Sequence, residues 1–234
     1  IISIREFARY INYRTTKFFK ASRTLKYFKQ SLVDPDLNKK YIFIPLHFQP
    51  VVSTCPVGDI FVHQNLMISM LSYSLRNSDW IIYVKEHPNQ DLSYGRTLEF
   101  YKEINSLNNV FLITNKITSK NILLKSKAVA IVTGTMGLEA ISNEIPVLCF
   151  GEIYYKLFNG VFPIKTNNDL SLALKKIQNG YKPSFETLLN ELKEIPSNYF
   201  HGYSNQEYED ESKISYSQNI NNLVNNLNEY LLRC

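Results

Sequence analysis

The sequence predicts an α/β fold built on a doubly wound parallel sheet, with helices flanking it at both ends of the chain. Two observations predict it. Short apolar, β-rich runs at 41–46, 80–84, 110–113, 128–132 and 146–150 alternate with segments of helical periodicity, the pattern of a parallel sheet with crossover helices. One stretch, Ala128 to Gly151, shows the unit undivided. It has an apolar run to Val132, a turn at Thr133-Gly134-Thr135, a helical pattern from Met136 and a second apolar run ending before Gly151. Parallel strands need such a crossover.

At 234 residues the chain is long enough for one such domain with a substantial core. It opens on Ile1, already inside a helical pattern, and is expected to be part of a longer protein. The expected organisation is a basic helical segment over 1–36, an α/β domain over 37–200 and a C-terminal helix within 201–234. No apolar run approaches the roughly 18 residues that a membrane span needs. Cys55, Cys149 and Cys234 are too few and too scattered for a disulfide framework or a Cys-based zinc site, and they fit a reducing cytoplasm. The net charge of +5 is uneven: residues 1–40 carry +7 and the remainder −2.

Taken in order, Ile4, Ala8, Ile11, Thr15, Phe18, Ser22 and Leu25 recur at steps of four and three, one face of a long helix. Arginines and lysines from Arg5 to Lys29 mostly occupy its other faces. Such a helix either packs on a domain outside this sequence or lies on an anionic membrane surface. No nucleic-acid-binding module follows it. Asp34-Pro35-Asp36 has the spacing of a metal-holding carboxylate pair, but Pro35 and the polar residues behind it make it a turn.

Tyr41 to Leu46 is the first strand. The loop behind it, His47 to Thr54, leaves a strand's carboxyl end, where ligands of open α/β sheets sit, so His47 and Gln49 are candidate substrate contacts. Phe61 to Leu75 is helical, and Trp80 to Val84 is a strand ending on Lys85-Glu86-His87-Pro88. Lys85 and His87 are candidates to stabilise negative charge on a departing phosphate, with Glu86 a possible substrate contact. Successive strand residues point to opposite faces, so Lys85 and Glu86 are not expected to pair. Gly95 to Ser106 reads as a helix, Val110 to Ile113 as a strand, and Thr118-Ser119 as the cap of a short helix.

The turn at Thr133, Gly134 and Thr135 precedes a helix start, where free amides favour an anion. Gly134 and Gly137 either let a phosphate approach the backbone or only let the helix pack tightly on the sheet. Glu139 lacks the Ser or Thr three residues earlier that a capping box requires, leaving it available to ribose hydroxyls. Asn167-Asn168-Asp169 caps a helix that stops at Asn179-Gly180. Tyr216, Ile220, Leu223, Leu227 and Leu231 mark the inner face of a last helix.

Seven segments in order, PLHFQP (45–50), STCPVG (53–58), VKEHPNQ (84–90), GRTLEFY (95–101), VTGTMGLEA (132–140), IPVLCFG (145–151) and Tyr154-Tyr155, resemble the capsule polysaccharide biosynthesis family of bacterial glycosyltransferases, which includes Kdo transferases of capsule assembly. The resemblance covers about residues 41–179. It implies a Rossmann-like domain of the kind forming the C-terminal, nucleotide-binding half of two-domain GT-B type enzymes. It also implies a sugar nucleotide held by Lys85–His87 and by Thr133, Gly134, Thr135, Gly137 and Glu139, with no metal or other cofactor. The His-Pro pair is similar to that of enzymes using CMP-activated acidic sugars, which ranks CMP-Kdo first as donor. A glycan or glycolipid acceptor, capsule-assembly partners and a cytoplasmic location peripheral to the membrane follow from the same likeness. Two positions depart from the family pattern: Val51 replaces a Glu and His63 an Asp. A sugar-nucleotide epimerase and a catalytically degenerate binding module are the competing expectations.

Overall fold

The structure, a computed structural model, describes residues 4–49, 55, 57–90, 96–194, 203 and 209–233. Two compact units divide the chain, Ile1–Leu188 and Leu189–Cys234.

The first unit begins with α1 (Ile4–Ser31), 28 residues long. It continues through β1 (Tyr41–Pro45), a 3-10 turn at Asp59–Val62, α2 (Gln64–Ser74), β2 (Ile81–Lys85), α3 (Leu98–Asn105) and β3 (Val110–Leu112). Then come α4 (Ser119–Leu123), β4 (Ala128–Ile131), α5 (Met136–Ser142), β5 (Val147–Cys149), β6 (Val161–Pro163) and α6 (Asn167–Gln178). A helix α7 (Phe185–Glu194) spans the division between the units.

All strand pairs are parallel and the order is β3-β2-β1-β4-β5-β6. The doubly wound sheet is therefore present, with a sixth strand that was not expected. β6 is three residues long, too short to show alternation. Its Pro163 is tolerated because the strand lies at the sheet edge.

Alternation along the strands builds two cores. Ile42, Ile44, Ile82, Val84, Ala128 and Ala130 face α2, α3 and α6, while Tyr41, Phe43, Tyr83, Val129 and Ile131 face α4 and α5. The central strands are fully buried, which is why they read as continuous apolar runs. Threonines cap the helices: Thr97 accepts from the Phe100 amide, Thr118 from Asn121, and Thr166 forms a capping box with Asp169, one residue before the expected cap. Gly180, at φ +89°, follows α6 as expected.

α1 packs on α3 through a face other than its apolar stripe. Thr24 and Phe28 are buried and Ala21 is half-buried, whereas Ile11, Phe18 and Leu25 are exposed. Phe28 meets Tyr101 of α3 at 4.8 Å between ring centroids, and Asn105 donates to Tyr27 and Ser31. Val33 then bridges to Ile113 in parallel beside β3. The expected division after residue 36 is thus crossed by packing. The Asp36 carboxylate accepts from the Asn38 amide, so this segment is a turn.

In the second unit α8 (Glu209–Ser212) precedes α9 (Tyr216–Arg233). Buried Asn219 exchanges two hydrogen bonds with the Tyr203 backbone. Tyr216 and Ile220 are exposed, so the expected inner face of α9 is corrected at those positions.

Candidate functional site

Strand order reverses between β1 and β4, and the crevice outside the carboxyl ends at such a switch point is where ligands bind doubly wound sheets. The loops after β1, β2 and β4 all leave this rim. Those after β2 and β4 stand on either side of β1, two strand spacings or about 10 Å apart.

His47 closes the gap between β1 and β4. Its Nε2 accepts from the Val132 amide at 3.0 Å and lies 3.4 Å from the Thr133 amide. The ring is therefore neutral with its hydrogen on Nδ1. Burial, then the nearby Arg96 and His87, push its pKa down to about 4. Gln49 is equally engaged: its amide nitrogen donates to the Val62 carbonyl, its Oε1 accepts from Arg96, and its backbone exchanges two bonds with Gln90. In this ligand-free structure His47 Nε2 and the side-chain amide of Gln49 hold the loops together.

Glu86 points away from Lys85, as the alternation requires. It is 4% exposed and accepts from Arg96 Nε at 3.1 Å, Tyr101 Oη at 2.7 Å and the His87 amide at 2.8 Å. All of these partners belong to the protein. Lys85 lies toward the opposite core, its Nζ donating to the Ile117 carbonyl at 2.6 Å and Ser119 Oγ at 3.1 Å. Burial holds this ammonium below the usual lysine range. These two bonds anchor the turn before α4.

His87 is different. It is half-buried, its ring lies 5.7 Å from that of Phe48, and its Nδ1 accepts from the Asn89 amide at 3.2 Å. That leaves the hydrogen on Nε2, which has no partner among the described residues.

Across the crevice, the backbone amides of Gly134, Thr135 and Met136 find no acceptor among the described residues. Thr135, the residue before α5, makes no side-chain cap. The glycines serve packing. A Cβ on Gly134 would stand 2.5 Å from His47 Cε1, and one on Gly137 would meet Ile131 and the Tyr155 hydroxyl. Tyr155 also donates to the Gly134 carbonyl. The Gly137 amide donates to that same carbonyl at 3.3 Å. Glu139 is half-buried one turn into α5.

Two residues of this rim escaped the sequence reading. Arg96 stood only as one letter of a motif, although an Arg flanked by Phe100 and Tyr101 at helical spacing is a signal for a stacked, buried guanidinium; its carbon Cζ lies 4.5 Å from the Phe100 centroid. Gln64 accepts from the His47 amide at 3.0 Å while its buried Nε2 has no partner among the described residues. Val51 and motif residues 50, 53, 54, 56 and 95 lie outside the described residues. His63 is exposed before α2 without a side-chain cap. Among the described residues no group of three or more His, Cys, Asp or Glu side chains is placed to hold a metal ion.

The order 3-2-1-4-5-6 and a switch-point crevice define a Rossmann-like domain. The family described as capsule polysaccharide biosynthesis protein matches residues 11–172, and the chain belongs to that family. Among solved structures it is similar to the UDP-GlcNAc 2-epimerase of Methanocaldococcus jannaschii, at 11% identity and a TM-score of 0.48, covering 73% of this chain and 48% of that one. It is also similar to the β-Kdo 2,7 transferase of Thermosulfurimonas dismutans KpsC, at 18% identity and a TM-score of 0.44, covering 68% and 52%. The β-Kdo 2,4 transferase of the same KpsC gives 18% identity and a TM-score of 0.40, covering 76% and 63%. The chain spans about half the length of the first two. The comparison with curated proteins returned no match.

Proposed function

We propose that this chain is the donor-binding part of a glycosyltransferase of bacterial capsule or surface polysaccharide assembly. The observation that carries this reading is the pairing of an imidazole N–H on one loop with open backbone amides on another, at one rim. In the proposed reaction an acceptor hydroxyl oxygen bonds to the anomeric carbon and its proton passes to water. The bond from that carbon to the donor phosphate breaks, and its electron pair stays on the phosphate. His87 Nε2 and the amides of Gly134 to Met136 stabilise that charge, Thr133 shapes the turn and Glu139 binds ribose hydroxyls. No step requires a metal, because hydrogen-bond donors meet the developing charge. Family membership makes CMP-Kdo the first donor to test and a glycan or glycolipid the acceptor.

The exposed, basic and aromatic half of α1 is read as seated on an anionic membrane at the cytoplasmic face, near a lipid-linked acceptor. Among the described residues no helix is long and apolar enough to cross a membrane.

The test is calorimetric titration with CMP, UDP and GDP, followed by turnover of the bound donor. His87→Ala and Glu139→Ala should each lower turnover by about a hundredfold or more with unfolding nearly unchanged. Wild-type turnover in those variants would remove the assignment. Conversion of the donor without acceptor would make the protein an epimerase, and failure to bind any nucleotide a non-catalytic module.

A further inference from the structure

We propose that Arg96 is the positioning residue of this rim, one guanidinium tying the loop after β2 to the loop after β1 and, through His47, to the loop after β4. The inference rests on the reading that these loops grip the donor phosphates. The Arg96 side chain is fully buried against Glu86. Its Nε donates to Glu86 Oε2 at 3.1 Å, its Nη1 to Gln49 Oε1 at 2.8 Å and its Nη2 to the His47 carbonyl at 2.7 Å. Each partner holds something further. Glu86 Oε1 accepts the His87 amide at 2.8 Å, fixing the backbone that carries this imidazole. His47 holds the Val132 amide at 3.0 Å, next to the turn with the open amides.

The geometry demands an arginine. Donors must leave one planar group in three directions, and an ammonium is a point charge with no such fork. Burying an ion pair is also a poor way to fill space, since apolar residues of equal volume often do as well. What the pair adds is a fixed relation among three strand ends, which a phosphate held between loops requires.

Removing Arg96 alone would strand the buried Glu86 carboxylate, so the decisive variant is Arg96→Met with Glu86→Gln, alongside Arg96→Lys. Hydrogen exchange at the Val132 and His87 amides is compared with that at Val129 and Ile82, which bond within the sheet. In the double variant Val132 and His87 should exchange about tenfold faster or more, with Val129 and Ile82 unchanged, and CMP or UDP should bind about tenfold more weakly or worse. Arg96→Lys should fall between. Unchanged exchange at Val132 and His87, or equal acceleration at all four amides, would overturn the proposal. Should the wild type bind neither nucleotide, the functional reading fails, and the exchange pattern alone still decides the role of Arg96.

Discussion

The imidazole of His47 accepts a backbone amide in the folded protein and is free to take a proton in the unfolded chain. With a folded pKa of about 4 against about 6.5 unfolded, both states are neutral above that range. As pH falls from about 6.5 to 4 the unfolded chain binds the proton first, so stability falls, by about 3 kcal/mol at most. Denaturant unfolding of wild type and His47→Gln across this window checks it: the variant should lose that part of the slope, and identical slopes would contradict the assignment. Gly134→Ala tests the same contact sterically. Its Cβ would crowd His47 Cε1 at 2.5 Å, and the expected loss is about 1–3 kcal/mol, relieved when His47→Ala is added. Wild-type stability for Gly134→Ala alone would refute the close packing. At this scale the sequence showed which polar residues gather at the rim but not which remain free. His47, Gln49, Lys85 and Glu86 look as available as His87 in one dimension. Only partners 10 to 85 positions away, such as Arg96 and Val132, reveal that they are engaged.

Elements were more legible where burial is two-sided. β1 and β4 announce themselves as apolar runs because both faces are covered, and α6 because a cap, an apolar stripe and a glycine stop agree. β6 escaped because three residues carry no period. α1 is legible as a helix, but its contact with α3 is not: that contact selects Ala21, Thr24 and Phe28, and the more apolar stripe through Ile11 and Phe18 stays outside. That exposed stripe, with Tyr10, Tyr13 and Phe19 among arginines and lysines, is the basis for the membrane prediction. Wild type should float with vesicles rich in anionic lipid, less so at high salt, each basic residue contributing about 1 kcal/mol near the surface. A chain lacking residues 1–19, which keeps the packed Thr24 and Phe28, should stay folded and no longer float. Flotation unaffected by that deletion, or absent in wild type, would contradict it.

For the molecule as a whole, the alternation of strands and helices leads to a parallel sheet, and parallel topology sends every strand's carboxyl end to one rim. That is why segments 40 to 90 residues apart in sequence meet, and why the rim was legible before its geometry. The opposite rim offers the contrasting surface. It has an open groove of about 520 Å³ ringed by Lys40, Lys125, Lys127 and Lys182, but helix carboxyl ends there oppose an anion. In the proposed function the loops after β2 and β4 hold one phosphate group between them. The most direct measurement follows backbone amide and imidazole NMR shifts as CMP is added to the intact protein. The amides of Gly134, Thr135 and Met136 and the ring of His87 should move together with one saturation curve. Shifts confined to one loop, or centred on Lys125–Lys127, would contradict it.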